Sequence, residues 1–179
     1  MNDRSVFHLI AELTEKEGIS CVLVGGFAIN YYKVSRQTGD IDFLIIEEHY
    51  QKIKNSLKEA GYKDYLSTEN FVRLKNSKLS LMDLDFIFVD ADTLQKILMD
   101  SQEIRIAGQK LYVPSLDHLI ALKLHAIKSN RKNRLIKDLP DIINLISVNK
   151  IDINNPEFKE LCLKYGTEDI YQRIVETLQ

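Results

Sequence analysis

The stretch from Asp40 to Ile46, DIDFLII, constrains the fold of this chain more than any other feature. Side chains of a β-strand alternate between two faces, so Asp40 and Asp42 lie on the same face. The remaining residues are apolar, which is typical of a strand inside a sheet. Two adjacent carboxylates repel each other unless water or a cation separates them. The stretch therefore predicts a buried sheet that presents a site for a divalent metal.

A second acidic and apolar strand is predicted further along the chain, in LSLMDLDFIFV over residues 79–89. Asp83 and Asp85 share one face of it by the same alternation. Either could supply a third carboxylate, and Mg2+ prefers such hard oxygen ligands. We choose Asp85 because it lies in the apolar context DFIF. Three carboxylates are a suitable set of ligands for two Mg2+ ions.

A glycine pair, Gly25-Gly26, follows the short apolar run of residues 20–24 and precedes a helical pattern over residues 27–32. The pattern predicts a strand, a tight turn and a helix. Glycines let the backbone approach a triphosphate, and the first amides of the helix form an anion site. A plain strand-to-helix turn is the alternative. The dinucleotide and P-loop patterns GxGxxG and GxxxxGK[ST] are absent.

The rest of the chain predicts an α+β fold, a mixed β-sheet flanked by helices and followed by a C-terminal helical subdomain. Helices are expected at residues 5–16, 47–60 and 91–98, strands within 62–89, and a hairpin around Ala107-Gly108. After Pro114, Ser115 is a helix N-cap, and helical patterns cover residues 116–128, 136–148, 156–165 and 168–178. We place an α/β core at residues 1–114 and the helical subdomain at 115–179. The alternative is a single domain.

Composition narrows the classes of function. The chain of 179 residues carries 24 Lys and Arg against 26 Asp and Glu, so no overall positive field marks a nucleic-acid partner. Cys21 and Cys162 lie far apart in apolar stretches, which is typical of core residues in a reducing compartment. The sequence has neither a signal-peptide run nor a stretch of roughly 18 to 20 apolar residues. We expect a cytoplasmic protein without a membrane partner.

Three segments together resemble a known superfamily. They are the glycine pair, Arg36-x-Thr38-x-Asp40-Ile41-Asp42, and Leu84-Asp85-Phe86-Ile87. This order and spacing is similar to the nucleotidyltransferase fold shared with polymerase beta. The stretch 116–145 is similar to AbiEii-type and related small bacterial nucleotidyltransferases, so the resemblance covers residues 20–146. One departure is Gly26, where the family often has serine.

The resemblance implies a metal-dependent transfer of a nucleoside monophosphate from an NTP, such as ATP, to a hydroxyl, with release of pyrophosphate. The catalytic residues would be Asp40, Asp42, Asp85 and Lys123, of which the three aspartates bind the metals. Lys123 lies in an apolar helix and could reach the phosphates, with Asp138 or Asp141 orienting it, or its stem could follow the surface. The nucleotide-binding residues would be Gly25, Gly26, Arg36, Thr38, Lys123 and Asp138.

The acceptor stays open at this point. It could be RNA, tRNA or a protein, with the chain acting as the toxin of a toxin-antitoxin pair and binding a cognate antitoxin. A basic stretch supports a polyanion or is a solvated helix face; it contains Lys128, Arg131, Lys132, Arg134 and Lys137. The alternatives are a small-molecule nucleotidyltransferase that modifies an antibiotic, or a non-catalytic nucleotide-binding module.

Overall fold

The two aspartate-bearing strands lie side by side in a mixed sheet. The structure is a computed structural model that describes residues 5–77 and 81–179. Its elements in chain order are α1 (Val6–Glu17), β1 (Val22–Val24), α2 (Gly25–Tyr31), β2 (Asp40–Ile45), α3 (Glu47–Glu59), β3 (Tyr62–Thr68), β4 (Phe71–Asn76), β5 (Asp83–Phe88), α4 (Ala91–Met99), β6 (Gln102–Ile106), β7 (Gln109–Val113), α5 (Leu116–Ser129), α6 (Arg131–Asn149), α7 (Pro156–Tyr165) and α8 (Glu168–Leu178).

The predicted α+β fold with a mixed sheet is confirmed. Within the described residues the larger sheet has the strand order β1-β2-β5-β4-β3. Strands β2 and β5 run parallel, and the other neighbours are antiparallel. Both aspartate-bearing strands are therefore interior, as their apolar residues predict. Phe43 and Phe86 are fully buried and stack with a centroid distance of 5.9 Å.

The chain divides into two compact units. The first contains the described residues of Met1–Ala28 and Gln37–Pro114, and the second contains Ile29–Arg36 and Ser115–Gln179. The first division falls inside α2, so one helix contributes residues to both units. The first unit carries both sheets, and the second is helical.

Local sequence signals explain how the elements of the first unit end. Helix α1 begins at the N-cap Ser5 and ends at Gly18, whose φ of 59° lies in the left-handed region that favours glycine. The hairpin β6–β7 turns at Ala107 and Gly108 with φ angles of 50° and 78°. Positive φ at both central residues is the geometry of a two-residue hairpin turn. The predicted hairpin is confirmed.

The second unit differs from its prediction at one helix. Ser115 caps α5, and α7 and α8 have the predicted bounds. Helix α6, however, begins at Arg131 rather than at residue 136. Ile136, the predicted first residue of the apolar stripe, is 81% exposed. The first turns of α6 carry no buried stripe, so periodicity alone could not locate them.

Three other bounds are corrected. Helix α2 begins at Gly25, two residues before the predicted start, and the glycine pair lies at its first turn with Gly25 at a positive φ. Strand β5 begins at Asp83, whereas the prediction began at residue 79, which lies outside the described residues. Strand β3 continues to Thr68, through half of STEN (residues 67–70), a stretch whose composition is typical of a turn. Every helix in the described part of the chain is too short or too polar to cross a membrane.

Candidate active site

Three carboxylates meet on one face of the larger sheet. The parallel register places Asp42 beside Asp85 and Asp40 beside Asp83. One oxygen from each of Asp40, Asp42 and Asp85 lies within 4.8 Å of the other two. Opposite ligands of one Mg2+ ion lie about 4 Å apart, so this spacing suits carboxylates that share divalent ions. The structure groups Asp85 with the pair on β2, and Asp83 lies outside this group.

Arg73 on β4 bridges two of the three carboxylates and was missed in the sequence. Its Nε donates to Asp85 Oδ1 at 2.8 Å, and its Nη2 donates to Asp85 Oδ2 at 2.5 Å. The same Nη2 lies 3.8 Å from Asp40 Oδ2. The hydrogen bonds to Asp85 raise the pKa of Arg73 above its ordinary value. The site therefore contains a cation of the protein itself beside the acidic group.

The side chains packed against Gly25 and Gly26 leave no room for a Cβ atom at either position. A Cβ atom on Gly25 would lie 1.9 Å from Asp42 Oδ2, and one on Gly26 would lie 2.5 Å from Thr38 Cβ. Gly25 also has a φ of 61°, which disfavours other residues. Thr38 Oγ1 lies 3.0 Å from both the main-chain oxygen and Oδ1 of Asp40. The start of α2 is thus packed directly against the carboxylate group.

The second unit holds another charged cluster, which we call the buried ion network: Lys123, Asp138, Asp141 and Arg36. Lys123 Nζ donates to Asp138 Oδ1 and to Asp141 Oδ2, both at 2.8 Å. Arg36 Nε lies 3.0 Å from Asp141 Oδ1. Side chains of the lysine and of both aspartates are at most 10% exposed. Lys123 is therefore buried, rather than extended along the surface.

Hydrogen bonds within the same unit hold Arg36 at this network. Asn30 accepts a hydrogen bond from the Arg36 main-chain N–H at 2.7 Å and donates to its carbonyl at 2.9 Å. Asn30 therefore closes the loop after α2 with both ends of its amide. These two hydrogen bonds brace the loop that carries Arg36.

Two arginines of the predicted basic stretch form ion pairs. Arg131 donates to Asp169 on α8, and Arg134 Nη1 lies 3.8 Å from Asp138 Oδ2. Lys128, Lys132 and Lys137 are exposed. The positive charge that this stretch can offer a ligand comes mainly from these lysines.

The structure sorts the predicted site residues into two groups. The first unit contains Gly25, Gly26, Thr38, Asp40, Asp42 and Asp85, and the second contains Arg36, Lys123 and Asp138. The residues of the first group lie beside one another, and in the second group Asp141 links Arg36 to Lys123, which also contacts Asp138. The catalytic and nucleotide-binding roles assigned to them stay predictions. The sequence did contain a signal for Arg73. It lies between Val72 and Leu74, which are both buried in β4, and an arginine that alternates with buried apolar residues in a strand is a candidate for a functional role.

Comparisons with solved structures place the fold among nucleotidyltransferases. The antibiotic-resistance factor ANT(2'')-Ia is similar with a TM-score of 0.64 and 13% identity, over 95% of this chain and 93% of that one. The lincosamide antibiotic adenylyltransferase LnuA, in its lincomycin-bound structure, has a TM-score of 0.54 and 20% identity, over 78% and 93%. Megavirus polyadenylate synthase has a TM-score of 0.56 and 15% identity, over 82% of this chain and 31% of that one.

The sequence itself gives the family. No curated protein sequence matches this chain. A family model described as "Uncharacterised nucleotidyltransferase" matches residues 5–179, which is nearly the whole chain. The similarity to AbiEii-type proteins in particular stays a prediction. The match and the fold agree, and the chain belongs to this family of nucleotidyltransferases.

Proposed function

We propose that this nucleotidyltransferase uses divalent metal to transfer a nucleoside monophosphate from an NTP to a hydroxyl acceptor, with release of pyrophosphate. The observation that carries the proposal is the group formed by Asp40, Asp42 and Asp85, whose oxygens lie within 4.8 Å of one another. Three carboxylates at this distance repel one another, and a divalent cation relieves that repulsion.

The residues around the carboxylates would hold them in place. Mg2+, when bound by these aspartates, would neutralise the triphosphate and lower the pKa of the acceptor hydroxyl. Thr38 fixes the Asp40 side chain through its hydroxyl. The absence of a side chain at Gly25 leaves room for the Asp42 carboxylate. Most of the catalytic effect would therefore come from positioning and charge.

We propose that Gly25 and Gly26 also lie beside the NTP phosphates. The first N–H groups of any α-helix lack acceptors within that helix, and α2 begins at this pair. The phosphate contacts proposed for Lys123, Arg36 and Asp138 rest on the resemblance. Lys123 has three N–H donors, two of which bond to aspartates, and the third would make the proposed phosphate contact.

Two acceptor classes follow, and they differ in charge. RNA or tRNA is favoured by the exposed residues Lys128, Lys132 and Lys137 at the end of α5 and the start of α6. A small hydroxylated antibiotic is favoured by the similarity in fold to ANT(2'')-Ia and LnuA, each of which is matched over 93% of its length. The proposed toxin role, a protein acceptor, a partner antitoxin and a non-catalytic module depend on the resemblance alone.

We further propose a reducing, cytoplasmic setting. Cys21 and Cys162 are free and buried, and burial raises the pKa of both thiols to about 12. Both cysteines therefore behave as core residues with little tendency to react.

The test is nucleotide transfer by the purified protein. Each α-labelled NTP is incubated with Mg2+ and either total RNA or a panel of aminoglycosides and lincosamides. We expect label on one acceptor class, and loss of that label in EDTA and in the Asp40→Asn/Asp42→Asn double variant. The matched control is Asp83→Asn, an acidic residue on the same face but outside the group. Label that persists in the double variant would overturn the proposal.

A further inference from the structure

We propose that Arg73 competes with the divalent metal for Asp85. This inference rests on the proposed function, because it assumes that the three aspartates bind metal. Arg73 holds Asp85 by both carboxylate oxygens, at 2.8 Å and 2.5 Å. A bidentate arginine fork of this kind is among the strongest hydrogen-bonded pairs in proteins. Within the fold, Arg73 is the cation that pairs with this carboxylate.

Burial makes the competition direct. Arg73 donates to both oxygens of Asp85, and the Asp85 side chain is only 3% exposed. A metal that binds Asp85 therefore coordinates an oxygen that already accepts a hydrogen bond from Arg73, and the two cations draw on the same negative charge. The Arg73 Nη2 atom is also 3.8 Å from Asp40, so the same guanidinium stabilises a second proposed ligand. Metal entry and release of the Arg73 fork are thus linked.

The Arg73 side chain can move away from Asp85 towards solvent and the Phe71 ring. Its side chain is 37% exposed, in contrast to the buried carboxylate that it holds. Its guanidinium carbon already lies 5.6 Å from the centroid of the Phe71 ring, which can hold a cation over its face. The guanidinium can therefore leave Asp85 without becoming buried and unpaired. A side chain of this kind can act as a replaceable counter-ion.

The alternative role predicts the opposite effect on metal affinity. A group that orients a metal ligand from outside supports binding, and its loss typically weakens affinity about 10-fold to 100-fold. A competing cation weakens binding, so its removal strengthens it. Removal of one positive charge and of the fork should raise the affinity for the first metal ion by about tenfold. The sign of the change therefore separates the two roles.

The experiment measures Mn2+ binding to metal-free protein by electron paramagnetic resonance, without nucleotide. The variants are Arg73→Met and Arg73→Lys, in which the lysine keeps the charge but cannot form the fork. The matched control is Lys75→Met on the same strand, whose Nζ lies 3.7 Å from the Tyr65 ring centroid. We expect about tenfold tighter binding in Arg73→Met, a smaller gain in Arg73→Lys, and a change within about twofold in Lys75→Met.

Equal or weaker binding by Arg73→Met would overturn the inference, as would an equal gain in Lys75→Met, which would show a general charge effect. Asp40→Asn/Asp42→Asn separates this failure from failure of the proposed function. If Mn2+ binding is unchanged in that double variant, the metal site itself is wrong, and the inference fails with it.

A second measurement applies if Arg73→Met does not fold without metal. Arg73→Lys then supports the inference when Mg2+ raises its unfolding temperature more than that of wild type. An equal or smaller rise overturns it.

Discussion

The acidic group on β2 and β5 and the buried ion network use the same residue types in opposite arrangements. In the acidic group, carboxylates lie next to carboxylates, and Arg73 bridges Asp85 and Asp40 from one side. In the network, charges alternate, because Asp141 lies between Arg36 and Lys123. Alternation satisfies the charges within the fold, whereas accumulation of one sign calls for a cation from outside. The arrangement of the aspartates, more than their number, separates a group that needs a further cation from one whose charges are balanced within the fold.

The largest effect should come from the acidic group and should depend on which aspartate is changed. Asp85→Asn removes a carboxylate of the group, and we expect a loss of activity of about 10³-fold. Asp83→Asn lies on the same strand and face but outside the group, and we expect activity within about threefold of wild type. Initial rates of nucleotide transfer measure both. An equal loss in Asp83→Asn would mean that the third ligand is misassigned.

The buried ion network should instead dominate stability. Lys123→Met leaves Asp138 and Asp141 buried without the ammonium that both contact. Breaking a buried ion pair from one side typically costs about 3 to 5 kcal/mol, and we expect a loss of that order in the free energy of unfolding. The control is Lys128→Met, an exposed residue of the same helix, with a change within about 0.5 kcal/mol. Urea unfolding measures both, and equal midpoints would refute the difference.

A glycine that contacts the acidic group should matter to stability and activity together. Gly25→Ala and Gly18→Ala both place alanine at a positive φ, which costs roughly 1 to 2 kcal/mol. Only at Gly25 would the new Cβ meet a side chain, at 1.9 Å from Asp42 Oδ2, whereas nothing lies within 4 Å at Gly18. We expect both variants to lose stability and only Gly25→Ala to lose activity. Full activity in Gly25→Ala would show that Asp42 can move without consequence.

The smallest effect should come from an exposed ion pair of the second unit. Arg131 hydrogen-bonds Asp169 and lowers its pKa from 3.8 to about 2. A pKa lowered by folding means that the carboxylate stabilises the fold above pH 4 and loses that contribution as pH falls towards 2. Asp169→Asn should therefore lower the unfolding temperature slightly near neutral pH. The difference in unfolding temperature from wild type should shrink as the pH falls from 4 towards 2. Both residues are exposed, so about 1 M salt should also shrink it.

The strands that carry the aspartates could be predicted because alternation within one strand is a local property. Asp40, Asp42 and Asp85 each lie in a short apolar run that identifies its own strand and face. Which strands become neighbours is not local. The pairing of Arg73 with Asp85 depends on the antiparallel register between β4 and β5, which forms only in the complete sheet. For this reason Arg73 was missed although its strand was predicted.

The buried ion network shows a second limit of sequence patterns. The buried positions of α6 are Asp138, Asp141, Ile142, Leu145 and Ile146, which follow helical spacing. Two of them are aspartates, and a search for apolar periodicity assigns aspartate to the surface. Their burial is compensated by counter-charges, chiefly from Lys123 on α5, which contacts both aspartates. The helix was predicted, whereas its buried face required knowledge of its neighbour.

The parallel pairing of β2 with β5 also has a consequence for how the protein folds. Asp42 and Asp85 are neighbours in space, yet α3, β3 and β4 lie between them in the chain. Contacts between distant segments carry a cost in loop-closure entropy and slow folding. The complete carboxylate group can form only after β5 has been synthesised and inserted beside β2. A nascent chain that stops before β5 carries Asp40 and Asp42 but lacks the third carboxylate of the group.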